Sequence, residues 1–244
     1  MNTSLSNSIK ITTRKYASRI AAALLMTLSV VQSAYAIDSY KLQELVERAR
    51  FTLEVFNSDV GMQKFREFVP YAHAMIIVPD YIKGAFGIGF SGGRGVLIMR
   101  DNTTGEWSYP AFYSLRSASI GLQIGGSNAE MILMVMTEEG LNTLNNTSIT
   151  LGADASVAAG PVGYGVEGET PMTFSADFAS FSRTKGAFMG ASLSGSTLVV
   201  KTDWNEMYYG RPVEPRDVLM GRASNPRADG LREAAAKFFN DNAR

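Results

Sequence analysis

Eighteen of the 23 glycines in this 244-residue chain fall in two stretches, ten between residues 84 and 126 and eight between 152 and 195. Both stretches carry the pattern of β-strands, and glycine inside a strand costs backbone entropy and offers nothing to pack. It is therefore expected where a sheet bends sharply or where another backbone comes close. The strands follow one another without intervening helices, which argues against an all-parallel α/β sheet. The expected fold class is α+β: a strongly curved, barrel-like antiparallel sheet, with helices from the N- and C-terminal segments packed on it. At 45% hydrophobic and 19% charged residues the chain has material for one sizeable core.

The helical segments flank this region. Residues 38–56 place Leu42, Leu45, Val46, Ala49, Leu53 and Phe56 at three- and four-residue spacing behind Asp38 or Ser39 as a cap. A shorter helix is expected from Ser58, with Met62, Phe65 and Phe68 on one face, ending before Pro70. The tail returns to helix after Asp203, again near Pro215, and finally over Arg227–Phe239. Strands are expected at Ala74–Val78, Arg94–Arg100, Glu106–Pro110, Ser117–Ile124, Met131–Met136, Ile149–Ala158, Val162–Glu169, Phe174–Phe181, Ala187–Leu193 and Ser196–Lys201. Thr137–Leu144 reads as a helical turn or two.

The first 36 residues read as an address rather than as fold. Lys10, Arg14, Lys15 and Arg19 precede an eleven-residue apolar run, Ala21–Val31, and then Ala34-Tyr-Ala36. That is the order of a secretory signal peptide with cleavage after Ala36. Eleven helical residues span only about half of a hydrocarbon core ~30 Å thick. Cleavage would leave a single domain, 37–244, in a periplasmic or secreted location. It carries 19 basic and 23 acidic side chains, net −4. Such a balance gives no general attraction to nucleic acid or anionic lipid, so phosphate must be met by a local patch.

Most catalytic constellations lack their parts. The chain has no cysteine and one histidine, which removes disulfide frameworks, thiolate metal sites and thiol nucleophiles. Gly87-Ile-Gly89-Phe-Ser91-Gly92 fits G-x-G-x-x-G, yet no helix opens there to meet a pyrophosphate. Gly89-Phe-Ser91-Gly-Gly93 fits the nucleophile elbow G-x-S-x-G, but His73 lies upstream of Ser91 instead of following it. Ser182-Arg-Thr-Lys185 fits S-x-x-K without its companion motifs. The expectation is a protein that is not an enzyme and holds no cofactor or metal.

Two features bear on binding. Met131-Ile-Leu-Met-Val-Met136 is apolar on both faces, which suits a doubly buried strand or an adaptable surface for acyl chains. The glycine-rich loop is flanked by Lys83 and Arg94 and contains Phe86 and Phe90. Lys83 and Arg94 are the candidates for a phosphate headgroup, since glycine-rich turns also offer backbone N–H groups to anions. Phe86 and Phe90 are the candidates for apolar contact with lipid.

The blocks Gly84-Ala-Phe-Gly-Ile-Gly-Phe-Ser-Gly-Gly-Arg-Gly-Val-Leu-Ile-Met-Arg-Asp101 and Gly105-Glu-Trp-Ser-Tyr-Pro-Ala-Phe112 resemble the core signature of the SYLF domain family, also labelled the Ysc-type actin-patch domain. The likeness continues through Ser119–Gly125, Leu151–Asp154, Ala159–Gly163, Gly186–Ser196 and Asn205–Gly210, so it covers roughly residues 40–220. The resemblance implies lipid binding without catalysis. Eukaryotic members are phosphoinositide-binding modules, often joined to SH3 or FYVE domains, and some bind actin. Bacterial members are exported single-domain proteins described as lipid-binding. The partner so implied is phospholipid or a membrane surface, in a cell envelope, with no nucleic acid. An envelope protein-interaction module without lipid is the alternative.

Overall fold

The computed structural model describes residues 38–159, 176–184, 187–190 and 192–243, with backbone alone at 62, 64, 85–88, 119–125 and 187–190. The chain divides into two units, 1–41 and 42–244. Of the first, only the start of the first helix is described, where Lys41 pairs with Asp38 at 3.5 Å. The signal-peptide segment and the expected strand Val162–Glu169 lie outside the described residues.

Helix α1 runs over 38–58. All six residues of its expected apolar face are buried, from Leu42 to Phe56. The next segment is more broken than a single helix. Asp59 caps a 3-10 turn, Val60–Met62, by accepting from the Gly61 N–H at 2.9 Å. Then come α2, Gln63–Arg66, and a second 3-10 turn, Val69–Tyr71, around Pro70.

The centre is a pair of very long antiparallel strands, β1 (Ala74–Met99) and β2 (Ala111–Val135). The expectation of separate short strands on either side of a glycine loop is corrected here. The glycines of both strands lie within the paired stretch, with Gly84 opposite Gly126, Ala85 opposite Gly125, and Gly89, Gly92, Gly93 and Gly95 opposite Ser119, Arg116, Leu115 and Tyr113. Backbone pairing therefore runs on through a stretch that lacks the side-chain alternation by which a strand is recognised. Register shifts between Val78 and Tyr81 and between Phe86 and Ile88 interrupt the ladder. Glu106–Pro110 adds only one bridge, Arg100 to Trp107.

Shorter strands complete the sheet: β3 (Ser148–Thr150), β4 (Val157–Ala159), β5 (Phe178–Thr184), β6 (Ala187–Gly190) and β7 (Thr197–Val200). β5 and β7 pair with opposite ends of β2; β3 lies outside β7, and β4 and β6 lie outside β5. The expected strand Ile149–Ala158 is split because Gly152 turns at φ 89°, a conformation open to glycine at little cost. The pairing of β4 with β5 is parallel, so the sheet is mixed and not purely antiparallel. Eighteen residues separate Ala159 from Phe178, enough for the return that parallel strands require.

Within 42–244 the strongly curled sheet forms a half-barrel with both faces buried, an α+β fold. Met75, Ile77, Val96, Ile98, Phe112, Ile132 and Met134 face α1, Phe65, Phe68 and the last helix, α6 (Asp229–Asn242). Ile76, Val78, Leu97, Tyr113, Leu115, Met131 and Leu133 face the other way, onto Leu144, Ile149, Leu193 and Val218. Of the remaining helices, α3 (Glu138–Thr143) and α5 (Pro215–Leu219) pack on the second of these clusters, while α4 (Thr202–Tyr209) places Tyr208 in the first. Residues 131–135 are all at most 1% exposed, so the methionine-rich strand is core on both faces and offers no surface to an acyl chain.

The two halves of β1 also meet each other. A methyl group added at Gly93 would sit 2.4 Å from the Asp80 carbonyl oxygen and 2.5 Å from Val78 Cγ1. At Gly95 it would sit 2.8 Å from the Ile77 carbonyl oxygen. Only residues without a side chain permit this approach. Tyr81 and Ser91 join the same halves through their hydroxyls at 2.8 Å.

Candidate functional site

The bend of the β1–β2 ribbon carries the exposed features. Ile82 and Phe90 are 60% and 65% exposed, among the largest apolar exposures on the described surface. Lys83 and Arg94 are exposed too, as is Arg116 on β2. The Lys83 ammonium lies 5.6 Å from the centre of the Tyr81 ring, and the Arg94 guanidinium 5.9 Å from that of Trp204. The two expected headgroup residues are thus seated on different aromatic rings. Phe90 is exposed as the apolar-contact reading requires, and the side chain of Phe86 lies outside the described atoms.

A signal available in the sequence strengthens this picture. Between Asp80 and Met99 on β1, and between Ala111 and Glu130 on β2, the strands contain Lys83, Arg94 and Arg116 but no acidic residue between the two flanking carboxylates. None of these three cations forms an ion pair with a carboxylate among the described residues. In a segment 37–244 of net charge −4 this ribbon is cationic, and Arg116 joins the two headgroup candidates chosen from the sequence, Lys83 and Arg94.

Where the ribbon meets α1 the charges are matched instead. A polar cleft of about 490 Å³ is lined by Arg48, Asp80, Asn128, Glu130 and Arg183, with Pro79 and Ala129. Arg48 pairs with Asp80, which also accepts from Asn128 at 3.2 Å. Arg183 donates to Glu130 at 2.7 Å and to Asp59 at 3.0 Å. The Gly61 N–H, and then Arg183, hold the Asp59 carboxyl below its usual range. Hydrogen bonding to Glu130 holds the Arg183 guanidinium more firmly protonated. These groups satisfy one another, so the cleft fastens α1 and the turn after it to the sheet.

Among the described residues neither the Ser91 motif nor the G-x-G-x-x-G motif is assembled as a catalytic site, and the Ser182–Lys185 motif runs outside the described residues. The Ser91 hydroxyl is shared with Tyr81, while His73 Nδ1 faces Glu138 Oε1 at 3.7 Å. No hydrogen bond links the serine to the histidine. The G-x-G-x-x-G segment lies inside β1 and opens no helix. Among the described residues no three His, Asp or Glu side chains come together as metal ligands.

A curled, doubly covered sheet with a cationic, partly apolar ribbon defines a binding domain. Its family follows from comparison with known proteins. The Ysc84 family model, described as "Las17-binding protein actin regulator", matches residues 116–238, and the chain belongs to this family, the SYLF domain family. It is 28% identical over 165 residues to human SH3 domain-containing YSC84-like protein 1, covering 67% of this chain and 48% of that protein. An SH3 domain-containing protein of Schizosaccharomyces pombe is 35% identical over 172 residues, 68% of this chain and 40% of the relative. Saccharomyces cerevisiae LAS seventeen-binding protein 3 is 30% identical over 168 residues, 63% and 36% of the two chains. The chain thus spans less than half the length of these curated relatives.

Proposed function

We propose that this protein is a non-enzymatic, exported lipid-binding protein that engages phospholipid at the cell envelope through the bend of its β1–β2 ribbon. The observation that carries this reading is the ribbon's charge: three exposed cations and no acid, beside exposed Ile82 and Phe90. Near an anionic surface each basic side chain contributes about 1 kcal/mol. Lys83, Arg94 and Arg116 together supply roughly 3 kcal/mol by that measure. Ile82 and Phe90 add the transfer of their exposed apolar area, at about 25 cal/mol per Å². These terms suit reversible surface binding. The basic start, the apolar run Ala21–Val31 and the Ala34-x-Ala36 site support export with cleavage near Ala36, into the periplasm or beyond.

The test uses the protein as purified from the producing cell, with its N-terminus read by mass spectrometry. Co-flotation with phosphatidylcholine vesicles, with and without phosphatidylglycerol, should show binding that depends on the anionic lipid. The double substitution Lys83→Glu, Arg94→Glu should weaken it by about thirty-fold or more. Unchanged binding by the folded double variant refutes the ribbon surface. Lipid extraction of the native protein addresses the carrier form of the reading, since a stoichiometric phospholipid mass would name the ligand class.

The second reading is a protein-interaction module, favoured by the description of the family as Las17-binding. Stoichiometric co-purification of a protein partner without extractable lipid would support it over the first.

A further inference from the structure

On the helix-covered face of the sheet, Arg94 of β1 is directly opposite Ser114 of β2, and Ser114 is opposite Val199 of β7. One step along the strands, Gly92, Arg116 and Thr197 form the next row on that face. The chain leaves β7 at Lys201, whose N–H donates to the Phe112 carbonyl, and enters α4 at Thr202. This helix start has no side-chain cap. Trp204, in its first turn, brings the pieces together: its ring centre lies 4.8 Å from the Lys201 ammonium and 5.9 Å from the Arg94 guanidinium.

Two cations on one partly exposed indole, with Arg116 a diagonal neighbour, make a site of net positive charge. The carboxylate beside it is Asp203, 3.6 Å from Lys201 but 65% exposed, where a pair is weak. Two buried polar groups on the adjoining segments are also unpartnered among the described residues. Ser114 is 6% exposed with its hydroxyl unused, and Asn205 is fully buried with Nδ2 unused while its Oδ1 accepts from the Phe112 N–H at 2.8 Å.

We propose that Arg94, Lys201 and Trp204, with Arg116 alongside, form a binding site for the phosphate of a phosphate monoester. A dianion matches a group of two to three neighbouring cations. The planar guanidinium can hold two of its oxygens, and the uncapped helix start favours negative charge in the same place. The same chemistry is offered by the headgroup of phosphatidic acid and by a soluble phosphate ester. This site deepens the lipid reading by naming the group recognised, but it stands apart from the Ile82–Lys83–Phe90 end of the ribbon.

The experiment follows Trp204 emission in a Trp107→Phe background, since the chain has only two tryptophans. Calorimetric titration of the unsubstituted protein serves as the parallel measurement should that variant not fold. Glycerol 3-phosphate, dibutyryl phosphatidic acid and, as control, glycerol are titrated separately. Saturable binding is expected for a phosphate-bearing probe and none for glycerol. Arg94→Gln and Lys201→Gln should each weaken it about fivefold, and Asp203→Asn should strengthen it. Affinity should rise from pH 5 to pH 7 as the ester passes its second pKa of about 6. Binding of both phosphate probes would assign the site to phosphate esters in general. Binding of the acylated probe alone would assign it to a lipid headgroup. No binding of either, or binding undiminished in the Arg94 and Lys201 variants, overturns the site. If the same preparation still floats with anionic vesicles, only this site falls and the ribbon reading stands.

Discussion

Gly93→Ala tests whether close contact between the halves of β1 shapes the sheet. The added methyl would lie 2.4 Å from the Asp80 carbonyl oxygen, over an ångström inside the separation at which non-bonded atoms attract. The Val78 methyl at 2.5 Å can shift by rotation, but the oxygen moves only with its strand. Overpacking of a tight site costs about 1–3 kcal/mol, and a backbone obstacle places this substitution at the upper end. For a domain of this size each kcal/mol lowers Tm by about 2–4 °C, so a drop of roughly 6–12 °C is expected. Gly84→Ala is the control, because Gly84 lies in the same strand, is exposed, and has nothing within 4 Å of the added atom. It should be neutral, or stabilising by up to about 1 kcal/mol through the unfolded chain. Both variants are melted by circular dichroism. Adding Val78→Ala to Gly93→Ala should recover only part of the loss, since the carbonyl contact persists. A Gly93→Ala midpoint within about 2 °C of the Gly84→Ala midpoint would refute the close-approach account.

Other expectations are simpler. Phe65→Ala should cost about 3–5 kcal/mol in urea unfolding, because Phe65 is fully buried with its ring 5.1, 4.8 and 5.5 Å from those of Phe56, Phe181 and Phe238. Burial tends to raise the Asp177 carboxyl, but hydrogen bonds from Thr137 and Ser156 outweigh it and hold it below the usual range. That contribution is complete above the ordinary aspartate pKa near 4 and is lost as pH falls through the lowered value. The urea midpoint should therefore drop in acid, and Asp177→Asn should be less stable at pH 7 with a shallower acid slope. Burial pushes the phenols of Tyr113, Tyr208 and Tyr209 well above the ordinary tyrosine range. Ultraviolet titration of the tyrosines should leave at least these three un-ionised until the protein unfolds in alkali.

Much of the architecture was legible where side chains carry the information. The face of α1 was read residue by residue, because burying Leu42 through Phe56 on one side leaves a periodic trace. The glycine clusters signalled a bent sheet with a close backbone approach, and Gly93 supplies one. The length of β1 and β2 was not legible, since the glycines spread through both strands pair through the backbone and break the side-chain alternation. Strands of three residues, such as β3 and β4, are too short to show a period. At the candidate site Lys83, Arg94 and Phe90 could be picked out beside the glycines. Trp204 and Lys201 could not, because the curl of the sheet brings them to Arg94 from more than a hundred residues away.

The outlying strands have a consequence for how other molecules can join this one. β3 and β4 are three residues long and β6 is four, so among the described residues these margins expose only short runs of free N–H and C=O groups. An extended peptide laid along such a margin would gain few ladder bonds, too few for recognition by strand addition. Whatever docks at these margins must therefore be chosen by side-chain chemistry, and its affinity should respond to surface substitutions more than to changes in peptide backbone.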